Sequence, residues 1–87
     1  MDTRQILGWN LRSLRVAKGM SQERLGLESG IDRSYVGRVE RGSENVTLTR
    51  LDSFAAVLGV TVAQLLTEPK NPTDKPAGLK AGRKAKA

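Results

Sequence analysis

Three arginines, a serine and a glycine share one stripe near the middle of this chain. Arg33, Ser34, Gly37, Arg38 and Arg41 recur on the 3.6-residue helical period, while Val36 and Val39 point another way. A guanidinium carries a planar fork of donors that can pair bidentately with the edge of a guanine. A small residue beside it lets a helix backbone come close to the bases. For the arginines alone, an ordinary amphipathic helix with a solvated charged face is the competing account. The surroundings of the stripe weigh against that account.

Residues 21–42 read SQERLGLESGIDRSYVGRVERG, which is the pattern of two short helices joined by a tight turn. Ser21 stands at an N-cap position, where its hydroxyl can accept from a first-turn amide. Leu25 and the small Gly26 give this helix an inward face. Gly30 supplies the turn, since a residue without Cβ takes positive φ at little steric cost. Ile31 follows as an anchor, Asp32 caps the second helix with its carboxylate against the positive N-terminal end, and Gly42 closes it. Gln22 puts an amide donor beside free backbone N–H groups at a helix N-terminus, a combination that makes an anion site. Tyr35 falls between the charged stripe and the apolar one. Its position suits a phosphate, a thymine methyl or packing over the preceding helix.

The flanking elements are helical too. Asp2 or Thr3 can cap a first helix reaching about Lys18, with Ile6 or Leu7, Leu11 and Leu14 as its apolar stripe and Gly19 as its stop. Trp9 lies off that stripe and is expected at the domain's edge, and Met20 in the core. After a polar loop holding Ser43 and Asn45, Thr47 caps a fourth helix. Leu48, Leu51, Phe54 or Ala55, and Leu58 are expected to face inward there, and Gly59 ends it. Thr61 and Gln64 form a capping box that opens a short fifth helix. Val60, Val62, Leu65 and Leu66 crowd this end with more apolar side chains than a short helix buries alone. They either close the core of a single chain or meet a second copy.

Composition narrows the function classes. A chain of 87 residues holds one small domain, for which an all-α bundle of local contacts is the economical fold. With no cysteine and no histidine, disulfides, thiol chemistry and the usual zinc ligands are excluded together. The carboxylates are scattered as caps and surface charges, and no Gly-rich phosphate loop precedes a lysine. No catalytic residues, metal or cofactor are therefore expected. No apolar run approaches the roughly 20 residues that span a bilayer. MDTRQ does not open a signal peptide, so no membrane association and a cytoplasmic location are expected. Of the net charge of +6, the segment 69–87 supplies +5 through Lys70, Lys75, Lys80, Arg83, Lys84 and Lys86 against Asp74. Residues 1–68, the expected folded domain, are nearly neutral, so only their charge distribution is informative. Rich in Lys, Ala, Gly and Pro, the tail at 69–87 is expected to be disordered. It either raises nonspecific affinity for polyanions through counterion release or merely solubilises.

Across most of residues 5–67 the chain resembles the lambda repressor/Cro-type helix-turn-helix regulators, the XRE family. The likeness rests on Leu11, Leu14, Arg15, Gly19, Ser21, Gln22, Leu25, Gly30, Val36, Val39, Glu40, Arg41 and Gly42, and continues through Leu51, Ala55, Leu58, Gly59, Val60, Leu65 and Leu66. The segment 32–36, DRSYV, is similar to the recognition-helix start of restriction–modification controller proteins. The resemblance implies a compact five-helix bundle that binds double-stranded DNA. Arg33, Ser34 and Arg38 would read base edges, with Gly37 allowing close approach. Gln22, Tyr35, Arg41, Ser43 and Asn45 would hold phosphates, and Arg15 would pair with Glu40 to tie the first and third helices together. Gly26 departs from the family's usual alanine, at a cost of roughly 1 kcal/mol in helix propensity. Val60, Val62, Leu65 and Leu66 would form a two-fold interface. A homodimeric repressor or autoregulator on a palindromic operator is the function implied. An antitoxin that neutralises a partner toxin, and binds its own promoter, is the alternative on the same fold.

Overall fold

The computed structural model of the chain describes residues 1–70. In chain order it holds α1 (Thr3–Ala17), α2 (Gln22–Ser29), α3 (Arg33–Glu40), α4 (Leu48–Leu58) and α5 (Val62–Leu65), with no strand among the described residues. Each boundary has a local chemical cause. Asp2 caps α1 within a capping box completed by Gln5, Ser21 caps α2, and Thr47 caps α4. At α5, Thr61 and Gln64 exchange side-chain and backbone hydrogen bonds at 2.8 and 3.0 Å, the reciprocal arrangement that satisfies two otherwise free amides. Between α2 and α3, Gly30 takes φ +73° and the Ile31 amide donates back to the Gly26 carbonyl at 2.9 Å. The expected basic tail lies, beyond Lys70, outside the described residues.

The apolar stripes converge on one core. Leu7 and Leu11 of α1, Leu25 of α2, Val36 and Val39 of α3, Leu51, Phe54, Ala55 and Leu58 of α4 and Leu65 of α5 are all buried there. Two expectations are corrected by it. Leu48 stands at the first position of α4 and is 76% exposed, because the inward face of that helix begins one turn later at Leu51. Leu65 was expected at an interface between copies. It is fully enclosed in its own chain's core and has no surface to offer a second copy, because the short α5 folds back over α1 and α4. Asn10 secures that return: its amide donates at 2.8 Å to the carbonyls of both Leu65 and Thr67, supplying partners for the end of α5.

Two glycines set how closely α3 is held. A Cβ on Gly8 of α1 would stand 2.6 Å from the Val39 carbonyl oxygen and 2.7 Å from that of Glu40. On Gly26 of α2 it would stand 2.4 Å from the Ile31 carbonyl oxygen. Backbone therefore meets backbone at both ends of α3. The glycine at position 26 is a packing requirement that outweighs its propensity cost.

One buried polar contact completes the arrangement. The Arg15 guanidinium, 6% exposed, donates from Nε to Glu40 Oε2 at 2.6 Å and from its terminal nitrogen to Oε1 at 3.0 Å. Its remaining edge reaches the Met20 carbonyl at 2.7 Å, and Gln22 donates to Glu40 Oε1 at 3.0 Å. One carboxylate thus joins α1, α2 and α3.

Gly8→Ala and Gly26→Ala are each expected to destabilise the fold in urea unfolding by about 1–3 kcal/mol, the usual cost of overpacking. At an open helical site the same change would gain about 1 kcal/mol, so a stabilised variant would refute the close approach. Arg15→Leu, which strands the Glu40 carboxylate, is expected to cost about 3–5 kcal/mol in the same measurement. A loss below about 1 kcal/mol would put the pair in the class of solvated surface contacts.

Candidate nucleic-acid interface

Helix α3 presents two faces. Val36 and Val39 are buried, while Arg33, Ser34, Arg38 and Arg41 are exposed on the opposite side. Arg33 is 69% exposed and lies 3.6 Å from the Glu23 carboxylate on α2, a loose surface pair that leaves most of its donors in solvent. Arg38 donates from Nε to Glu44 Oε2 at 2.5 Å, and its guanidinium carbon lies 5.5 Å from the centre of the Tyr35 ring. The guanidinium of Arg50, from the first turn of α4, is nearer that ring, at 4.5 Å. Tyr35 is half-buried against the core and packed by cations, a setting that sequence reasoning did not anticipate.

Gly37 is buried, and the space above it is shared by two side chains. A Cβ there would lie 3.4 Å from an Arg41 guanidinium nitrogen and 3.6 Å from Gln22 Oε1. The residue lies beneath Gln22 and Arg41, which a Cβ would meet only in ordinary contact. It does not leave bare backbone at the surface. Arg12, Gln22, Arg33, Ser34, Gly37 and Arg41 line a single open groove at the junction of α1, α2 and α3. Arg12 was missed in the sequence: it sits one turn before Arg15, is 44% exposed, and reaches only the periphery of Glu40 at 4.0 Å. Its spacing from Arg15 was the available signal. Nothing local could have linked Arg50 to Tyr35.

The remaining expected contacts are less concentrated. Ser34 donates its hydroxyl to the Asp32 carboxylate, and Ser43 donates both hydroxyl (3.0 Å) and backbone amide (3.0 Å) to the Arg38 carbonyl, closing α3. Asn45 is exposed, beside Asp2, Thr3 and Arg4 at the start of α1. Val60, Val62 and Leu66 are half-buried around α5, with Leu65 beneath them. No cluster of metal-ligating side chains occurs among the described residues, and none of their helices is long and apolar enough to cross a membrane.

At the N-terminus of α3, the Asp32 carboxylate accepts from the Ser34 hydroxyl and, at 2.9 Å, from the Ser34 amide. These hydrogen bonds, with a smaller contribution from the Arg33 charge, hold its pKa below the ordinary value of 3.8. A depressed folded-state pKa gives stability that is fully present above the unfolded value and lost as pH falls through the folded one. Asp32→Asn is therefore expected to flatten the pH dependence of unfolding below about pH 4. A carboxyl NMR titration should place Asp32 below 3.8, and a midpoint at or above that value would contradict the cap.

Comparison with known proteins agrees with this geometry. The helix-turn-helix family model matches residues 11–65. A hypothetical transcription factor of Neisseria meningitidis is 46% identical over 69 residues, which cover 79% of this chain and 65% of that protein. The chain thus spans just under two thirds of that relative's length. Control protein C.SmaI of Serratia marcescens is 46% identical over 67 residues, 77% of this chain and 80% of that protein. Among solved structures, the Neisseria transcription factor superposes with a TM-score of 0.77 at 46% identity, covering 80% of each chain. The restriction-modification controller protein C.AhdI from Aeromonas hydrophila superposes with a TM-score of 0.69 at 48% identity, covering 71% of this chain and 94% of that one. With the exposed arginine row already seated on a helix-turn-helix, the conclusion is direct: this chain belongs to the helix-turn-helix family of lambda repressor/Cro (XRE) type and is a DNA-binding regulator of transcription.

Proposed function

We propose that this chain is a sequence-specific regulator of the controller type, acting as a homodimer on a palindromic operator and repressing by occupying it, its own promoter included. The observation that carries this reading is the two-faced α3, with Arg33, Ser34 and Arg38 in solvent and Val36 and Val39 locked in the core. An eight-residue helix is about 12 Å long, which suits the width of the major groove. Arg33 and Arg38 read base edges, with Ser34 between them. Gln22 and Arg41, laid together over Gly37, hold a phosphate, and Ser43, Asn45 and Tyr35 border the same backbone path. Arg12 joins them as a further phosphate contact from the same groove. The relatives that bear the name of controller or control protein favour the subtype.

Dimerisation falls to Val60, Val62 and Leu66, the half-buried apolar residues around α5. A two-fold axis there would present two α3 helices to successive major grooves about 34 Å apart. The phosphate contacts supply affinity common to all sequences, and the base contacts supply the preference.

Selection of bound duplexes from a random library by the full chain at about 0.15 M salt is expected to enrich a palindrome with half-sites about one helical turn apart. Failure to enrich any sequence would sink the reading and favour a protein-partner role such as that of an antitoxin. On the enriched duplex, Arg33→Ala or Arg38→Ala should cost about 1–3 kcal/mol and relax the preference at one base pair. Arg12→Gln should weaken binding evenly over all sequences and reduce the salt slope by about one unit. Val62→Asp should shift sedimentation equilibrium toward the monomer. An unchanged dimer would move the interface elsewhere.

A further inference from the structure

Glu44 stands in the wrong place for a residue of a DNA-facing loop, since its charge repels every phosphate that approaches. It is also half-enclosed, with its side chain 24% exposed, and holds Arg38 by a 2.5 Å hydrogen bond. That bond uses Nε alone. The two terminal nitrogens of Arg38, which carry four of the guanidinium's five donors, are left for another acceptor. The Tyr35 ring lies 5.5 Å from the same guanidinium and limits its swing, and that ring also packs against Arg50. Arg38 is therefore pinned at its inner edge with its outer edge open.

We propose that Glu44 is a specificity-determining positioning residue, which fixes Arg38 through Nε and so restricts it to a base edge. The proposal rests on the reading of Arg38 as a base-contacting residue. A free arginine on a long, flexible stem can swing to any nearby phosphate and reward all sequences alike. Held at Nε, its terminal fork is preset for a bidentate guanine contact, and the swing toward the backbone is blocked. The carboxylate adds a second discrimination: its repulsion of phosphate acts on every duplex, while the compensating base contact forms only on the correct one. Glu44 would thus lower affinity and raise selectivity together.

The test compares the full-length chain with Glu44→Gln, Glu44→Asp, Arg38→Ala and the double variant Arg38→Ala with Glu44→Gln. Binding is measured on the enriched duplex, on single-substitution variants of it and on an unrelated duplex, over a range of salt. Thermal melts check that the variants remain folded. Glu44→Gln should tighten binding to the unrelated duplex about threefold or more and steepen the salt slope by about one unit. It should also relax the preference at the base pair read by Arg38 about fivefold or more. Glu44→Asp, which keeps the charge, should retain the weak binding to the unrelated duplex. With Arg38 absent, removing Glu44 should no longer change any base preference. If Arg38→Ala relaxes one base pair while Glu44→Gln tightens all duplexes equally, Glu44 is a repulsive charge only and the positioning role is overturned. If Arg38→Ala leaves every base preference intact, the base-reading role of Arg38 falls first and takes the proposal with it.

Discussion

The Glu40 carboxylate is the point on which the rest of the molecule depends. It sits at the end of α3, accepts a bidentate pair from Arg15 of α1, and takes a further hydrogen bond from Gln22 at the start of α2. Burying two charges is costly in itself, and an apolar pair of similar volume would hold the helices at least as well. What a directional contact adds is register. A greasy contact tolerates rotation of α3 about its axis, whereas a two-point bond to a planar guanidinium does not. Here the same carboxylate also orients Gln22, whose other amide atom lies over Gly37 on the outward side. The polar core therefore runs without a break from the first helix to the groove at the surface.

Charge in the described region is arranged locally. Arg12, Arg15, Arg24, Arg33 and Arg38 lie against carboxylates at Glu23, Glu28, Glu40 and Glu44. Each pairing has a different degree of exposure, and exposure decides its meaning. Arg15 and Glu40 are enclosed and structural. Arg24 with Glu28 is an ordinary surface pair one helical turn apart. Arg38 with Glu44 lies between these extremes, whereas Arg33 with Glu23 is more exposed than either. The loose contact between Arg33 and Glu23 can be given up without strain on the fold.

Much of this was legible in the sequence because it is written locally. Ser21, Asp32, Thr47 and Thr61 announce their helices through the need of first-turn amides for an acceptor, and Gly30 and Gly59 announce the stops through positive φ. The exposed side of α3 followed from helical periodicity alone. Contacts set by tertiary approach were not readable in that way. Gly8 looks like an ordinary helix-weakening residue until the carbonyls of α3 are brought against it, and Gly26 looks like a defect until Ile31 is. Asn10 and Arg50 carry no local signal of their partners, which lie on other helices. Leu65 shows the same limit from the other side: an apolar residue on a four-residue helix suits a core or an interface equally until the path of the chain is known.

The division of labour along α3 follows from these contacts. Its placement is set by residues that face away from the stripe: Val36, Val39 and Glu40 on the helix, Gly8, Arg15 and Gly26 on its neighbours. The stripe itself contributes little to the fold, because exposed ion pairs are worth at most about 1 kcal/mol. Arg33 and Arg38 can therefore be exchanged with small consequences for stability, and their substitution changes which acceptors the helix meets while its position holds. Gly37 is the exception. It belongs to the stripe by periodicity, yet it is enclosed beneath Gln22 and Arg41. A Cβ there would meet both in ordinary contact, so only a side chain longer than alanine's would press on the pair. Arg33, Ser34 and Arg38 can thus be changed one residue at a time without moving the helix, whereas Gly37 is tied to the placement of Gln22 and Arg41.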